Sequence, residues 1–286
     1  MPLERIEALP EQLRQHWARF HDCFTTQTRD TSEHAYHYLR GLLTIETDRT
    51  YAGIARTLDG SDGQALQHFM SNSPWSGQRV FQRIQEDICA TPLLAKGSLL
   101  ILDESADEKA DVKSVGAARQ YNGRMGKVDI CQVSVVLGYA NWHSAPWTTW
   151  ALVDSELFLP EAWFTPQWAA PRQQLGVPSE RRFASKPQLG LQMIWRAQAQ
   201  GLPFEAIACD DLYGRDGPFR AALAQAGVVY VADVPAHLQV YLEPPQIGVP
   251  SPVARTGRPK SKLRILNGVK TSRVDQVARR PDLSWQ

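Results

Sequence analysis

Two apolar runs of this chain each lead into an acid. Leu99-Leu100-Ile101-Leu102 precedes Asp103, and Phe204-Glu205-Ala206-Ile207-Ala208-Cys209 precedes Asp210. Short apolar runs of this kind read as buried strands, and carboxylates at the ends of adjacent strands reach the same divalent ions. That arrangement suits phosphoryl transfer, in which metal ions stabilise both the attacking and the leaving oxygen. A lone strand-end Asp is ordinarily a turn or cap residue. The pair carries more weight, because ligands of open sheets sit outside the carboxyl ends of strands. Glu104 and Asp211 come next in the chain, and strand alternation turns them to the opposite face, so they rank second.

The other reactive side chains are weaker candidates. Cys23, Cys89, Cys131 and Cys209 form no Cys-x-x-Cys and have no His at ligand spacing, so reduced structural thiols are expected. His34 and His37 share a helical face but lack a third metal ligand. Arg119, Arg124 and Lys127 fall in a predicted loop between strands, interleaved with Gln120, Tyr121 and Asn122. They suit phosphate contact, although by themselves a solvated hairpin loop is the favoured reading, because exposed Arg and Lys are ordinary. Arg255, Arg258, Lys260, Lys262 and Arg264 form the strongest basic stretch. Residues 254 to 280 hold nine Lys/Arg against the single acid Asp275, while the formal net charge of the whole chain is only +1. A block of this kind reads as a polyanion contact or a solvated arm.

The elements that must position the acids can be read from periodicity. Residues 1 to 94 read as helical: Ala35, Tyr38, Leu39, Leu42 and Leu43 share one face, Ile54 and Leu58 form a second helix, and Leu66, Phe69 and Met70 form a third beyond the turn at residues 59 to 63. A helix-turn-helix fits the last two, and so does a plain helical bundle. From residue 97 the pattern changes to strands, at 99 to 102, 130 to 139 and 148 to 159, which fit a meander. A helix over 187 to 200, a strand over 204 to 209, a helix over 218 to 226 and a strand over 228 to 234 follow. The sum is a mixed α/β sheet with helices on its faces. Beyond Pro235 the prolines multiply and apolar residues thin out, which predicts an extended arm without a core.

With 286 residues, 43% of them hydrophobic, the chain can bury a substantial core. Its apolar runs are too short to span a bilayer and the first residues lack a signal-peptide pattern, so a cytoplasmic protein without membrane contact is expected.

Several ordered blocks carry a family resemblance. Leu102-Asp103-Glu104-Ser105, Ser114 to Gly123, Gly126-Lys127, Cys131-Gln132-Val133, Leu157 to Trp163, Gly176-Val177-Pro178, Lys186 to Leu189, Gly201 to Phe204, Asp210 to Gly214 and Tyr230 to Pro235 together resemble the DDE transposases of insertion sequence family 701. Tyr38 to Leu43 and Leu66 to Phe69 are similar to that family's helical N-terminal region. The resemblance implies an RNase H-like core over residues 95 to 240, a helical and candidate DNA-binding domain over 1 to 94, and the start of an inserted region over 241 to 286. It also implies that Asp103 and Asp210 are the first two acids of an Asp-Asp-Glu triad, holding Mg²⁺ or Mn²⁺. The implied partners are duplex DNA at element ends and target sites, with a homodimer or an intact transposase as a further partner.

Two departures from the family pattern matter. The family's Glu lies on a helix beyond the segment corresponding to Tyr230 to Val234, and no such helix can be read before Gln286. Glu243 is the only glutamate after Glu205, and it sits beside Pro244-Pro245. In addition, Asp107-Glu108-Lys109-Ala110-Asp111 is more acidic than the turn of relatives. The chain is therefore expected to be a C-terminally truncated transposase that binds DNA but cleaves poorly alone, since loose geometry at the reacting atoms costs orders of magnitude in rate. A non-catalytic DNA-binding protein, or inhibitor of the intact enzyme, is the alternative. A third reading is a remnant with one sheet face left uncovered.

Overall fold

The computed structural model describes residues 7–142, 148–250 and 262–282. At its centre is β1, Ser98–Glu108, an eleven-residue strand with a different kind of neighbour on each side. On one side lies antiparallel β3, Lys127–Asn141, which pairs in turn with β2, Ala118–Asn122, and β4, Thr149–Phe158. On the other side β5, Ala206–Cys209, and β6, Tyr230–Ala232, run parallel to β1. The order β2-β3-β1-β5-β6, with β4 also on β3, is the mixed sheet of an RNase H-like core. The predicted strands are present, and β2 is an addition: Arg119 belongs to a strand and Lys127 opens the next one, leaving Arg124 at the hairpin turn. The short β2 escapes sequence reading because its residues alternate without an apolar face.

One face of the sheet is buried. Leu100, Leu102, Val135, Leu137 and Tyr139 pack against Leu189, Met193, Ile194 and Ala197 of a helix over Lys186–Ala199, joined by Ile207, Tyr213, Phe219 and Leu223. Each such fully buried aliphatic or aromatic side chain contributes ~1.5 to 3 kcal/mol. The opposite face carries Leu152, Gly138, Ile101, Ala208 and Val231 in one row across five strands, as their register shows. Leu152, Ile101 and Val231 are exposed among the described residues.

The helices are numbered from the N-terminus: α1 Leu9–Ala18, α2 Ser32–Thr44, α3 Tyr51–Thr57, α4 Gly63–Asn72, α5 Gly77–Cys89, α6 Ala169–Gln174, α7 Lys186–Ala199, α8 Asp211–Gly214, α9 Gly217–Gln225 and α10 Val274–Val277. The helical N-terminal region has its own cores. Phe20, Phe24, Ala35 and Phe69 form one cluster, and Ile54, Leu58 and Leu66 another. The buried stripe of α2 runs through Ala35 and Tyr36 instead of the predicted leucines, and Leu43 is exposed. The reason lies at Gly41, whose missing side chain admits Ile54 and draws α2 onto α3 along that line. Helix α5 ties this region to the sheet, with Ile88 in the main core and Gln85 donating to the Val153 carbonyl at 2.8 Å.

The described part of the expected arm is more ordered than its composition predicts. Gln239–Val240 (β7) pairs with Ser272–Arg273 (β10), and Ile247–Gly248 (β8) with Arg264–Ile265 (β9). Backbone pairing, and not an apolar core, holds these ladders. Among the described residues no helix is long and apolar enough to cross a membrane.

Candidate metal and phosphate site

The two sequence-predicted acids meet because of register. The last pair between parallel strands β1 and β5 is Leu102 with Cys209, so Asp103 and Asp210 are each the next residue of their strand. Asp103 is not at a strand end, as its apolar run suggested, because β1 continues to Glu108 along β3. It lies instead where the parallel neighbour stops, and a cleft opens there. Asp210 leaves β5 and caps α8, its carboxylate accepting from the Leu212 backbone at 3.0 Å.

Glu104 joins them. One carboxylate oxygen from each of Asp103, Glu104 and Asp210 lies within 4.8 Å of the others. Alternation does send Glu104 to the buried face of β1, in register with Val135, yet its longer side chain returns to the cleft mouth. Two groups hold it there. The Tyr213 hydroxyl donates to Glu104 Oε1 at 2.9 Å, and Lys186 Nζ lies 3.9 Å from the same oxygen.

Two glycines make this geometry accessible. A Cβ on Gly214 would fall 1.8 Å from the Asp233 carbonyl, so only glycine lets α8 sit on the end of β6 and carry Tyr213 beneath the acids. A Cβ on Gly190 would meet Leu102 Cδ2 at 2.6 Å. One helical turn before Gly190 stands Lys186, and two residues beyond Leu102 stands Glu104. A turn of helix rises about 5.4 Å and two strand residues about 6.6 Å, so the close crossing at Gly190 sets the second pair opposite each other. Ser185 and Gln188 fix the start of α7 with a capping box.

Burial pushes the Glu104 carboxyl above its ordinary value; Lys186 and the Tyr213 hydrogen bond pull it back, and Asp210 and Asp103 raise it again. Asp210 is also raised, first by burial and then by Asp103 and Asp211, against the opposing backbone hydrogen bond from Leu212. Tyr213 is pushed far up by burial and by Glu104, which keeps it a donor. The cluster therefore stores repulsion that a cation relieves. Its donors are hard oxygens, which suit Mg²⁺ or Mn²⁺. Oxygens across one Mg²⁺ shell lie about 4.2 Å apart at most, so the observed spread closes with small side-chain rotations, and the residues fit such an ion.

The acids line a cleft of about 650 Å³ together with Tyr121, Arg124, Lys186 and Arg215. Arg124 thus comes to the acids. Lys127 is held by Asp129 at 2.6 Å, and Arg119 is exposed on β2. Lys262 and Arg264 are exposed beside and within β9, while Arg255, Arg258 and Lys260 lie outside the described residues. The four cysteines are free, and burial pushes the Cys209 thiol beside Asp210 up to about 11. Sequence reading undervalued Glu104 and passed over Lys186 and Tyr213. The available signals were a second acid beside the first, a lysine in the unfavourable first turn of a helix, and a tyrosine three residues after Asp210.

The probable transposase for insertion sequence element IS701 from Microchaete diplosiphon is 26% identical to this chain over 215 residues, covering 74% of the chain and 51% of that protein. The chain thus spans about half the length of that curated relative. The family model described as DDE superfamily endonuclease matches residues 19–286. With acids converging at the edge of an RNase H-like sheet and a family match over nearly all of its length, the chain belongs to the DDE superfamily endonucleases.

Proposed function

We propose that this chain provides the DNA-cutting site of an insertion-sequence transposase, with Asp103 and Asp210 as metal ligands and catalytic residues. The observation carrying this reading is the convergence of Asp103, Glu104 and Asp210 in a cleft that also admits Arg124. Divalent cations bound there, Mg²⁺ or Mn²⁺, supply charge stabilisation for the attacking and departing oxygens of a two-metal displacement. The chain's own residues do the rest. Asp103 and Asp210 hold ions from two strands, Arg124 meets a phosphate from the hairpin, and Arg119 and Lys127 extend that contact along the duplex. Lys262 and Arg264, with Arg255, Arg258 and Lys260, add a sequence-independent grip whose strength falls as salt rises. In this reading residues 1–94 add a second DNA contact, residues 95–240 cut, and residues 241–286 carry the basic grip.

The test uses the full chain and a plasmid bearing the DNA that flanks its coding sequence. Mg²⁺-dependent nicking lost in both Asp103→Asn and Asp210→Asn supports the proposal. Nicking that survives either substitution overturns it. DNA binding without any nicking, unchanged by both substitutions and abolished by reversing the Lys262 and Arg264 charges, establishes the non-catalytic alternative instead.

A further inference from the structure

Lys186 is an unusual occupant of its position. It is the first residue of α7, where the helix dipole disfavours a positive charge, and the first turn contains no acid to offset it. Its side chain is only 18% exposed. The ammonium sits 5.6 Å from the centroid of the Phe158 ring and 3.9 Å from Glu104. Among the described residues it is the one cation within 4.0 Å of any of the three clustered carboxylates. The pair is loose, made by a compact charge on a flexible stem and not by a guanidinium fork.

We propose that Lys186 is the resident counter-ion of the carboxylate cluster: it stands in for the divalent cation, is displaced from Glu104 when the cation enters, and then meets a phosphate oxygen of the incoming DNA. The inference rests on the metal-site reading above. Three carboxylates with one loosely held ammonium form a site that exchanges one positive charge for two. The cleft that Lys186 lines with Arg124 gives the released ammonium a place to meet a phosphate. Lys186 is thus a positioning residue that acts through Glu104 and the substrate phosphate.

The experiment is titration of the full-length chain with Mn²⁺, followed by electron paramagnetic resonance of free and bound ion, alongside DNA binding in Mg²⁺ and in EDTA. Removing the competing charge in Lys186→Gln is expected to tighten Mn²⁺ binding by up to roughly five-fold, the equivalent of a good partly exposed ion pair. Lys186→Arg, whose fork clamps Glu104 more firmly, is expected to weaken it. Lys186→Gln also loses DNA affinity in Mg²⁺ more than in EDTA. A purely structural lysine does not reverse the sign of the metal effect between Gln and Arg. If the wild-type chain binds Mn²⁺ while Lys186→Gln binds it equally or more weakly, the counter-ion role fails and the metal site stands. If the wild-type chain takes up no Mn²⁺, both readings fall. Should Lys186→Gln not fold, the Arg variant alone decides: unchanged or tighter binding overturns the proposal.

Discussion

Two groups of acids lie on the same sheet and meet opposite fates. On β4, Asp154 is almost wholly buried, and Arg196 approaches it at 2.9 Å and Glu156 at 3.0 Å, while Arg181 adds a second contact to Glu156 at 3.0 Å. Burial works against the Arg196 charge, and the hydrogen bonds and charges of Asp154 and Glu156 more than offset it, so its proton is held more tightly than usual. At the end of β5 and along β1, Asp103, Glu104 and Asp210 have, among the described residues, only the ammonium of Lys186 as a countercharge within 4.0 Å. The β4 group is electrically closed and braces α7 and α5 against the sheet, with Gln78 donating to Asp154 at 3.3 Å. The cluster at the cleft is left open, and an open cluster of acids is what an external cation needs. Charge balance, more than the presence of acids, separates the bracing group from the candidate active one.

The largest effect is expected from breaking the closed group. Arg196→Ala leaves Asp154 buried and unpaired and should cost ~3 to 5 kcal/mol, measured by urea unfolding. Gly190→Ala tests the crossing that holds Lys186 opposite Glu104. A methyl group against Leu102 is expected to cost ~1 to 3 kcal/mol and, as the competing ammonium of Lys186 moves away from Glu104, to tighten Mn²⁺ uptake.

The open cluster should respond with the opposite sign. Glu104 holds its proton above the ordinary 4.5 because of burial, so its contribution to stability is present below that value and is lost as pH rises through the raised one. In EDTA at neutral pH, Glu104→Gln is therefore expected to raise the melting temperature modestly. The gain vanishes once the solution is acid enough to neutralise the carboxyl in both states. A lowered melting temperature would make the cluster a brace like the other. Smallest of all, Lys262→Ala with Arg264→Ala should change stability by less than about 0.5 kcal/mol. The pair should nonetheless reduce the salt slope of DNA binding by about 1 for each charge removed.

Much of the scaffold was legible because its signals are local. Apolar runs marked β1, β3, β4 and β5, and Leu189, Leu191, Met193, Ile194 and Ala197 marked the inward stripe of α7, of which Leu191 is only partly buried. Strand β2 was hidden because Arg119, Gln120 and Tyr121 show no apolar alternation and are held by pairing with β3. Asp154 was hidden for another reason. Register between β3 and β4 shifts at Leu137 and Gly138, so Val153 and Asp154 are both buried although adjacent in sequence. A bulge of this kind overrides the alternation on which such readings depend. The same alternation argument set Glu104 aside, correctly for its backbone direction and wrongly for the reach of its side chain.

By itself, the sequence determined most strands and helices of the core, the family resemblance and the two acids that follow apolar runs, because these depend on residue type and short spacing. Tertiary structure alone decided that Asp103 lies inside a strand and still meets Asp210, that Glu104 joins them, and that Lys186 and Tyr213 tend it. Those outcomes depend on parallel register and on helix approaches at Gly190 and Gly214. Each is a contact between residues far apart in the chain, fixed by packing of the whole core.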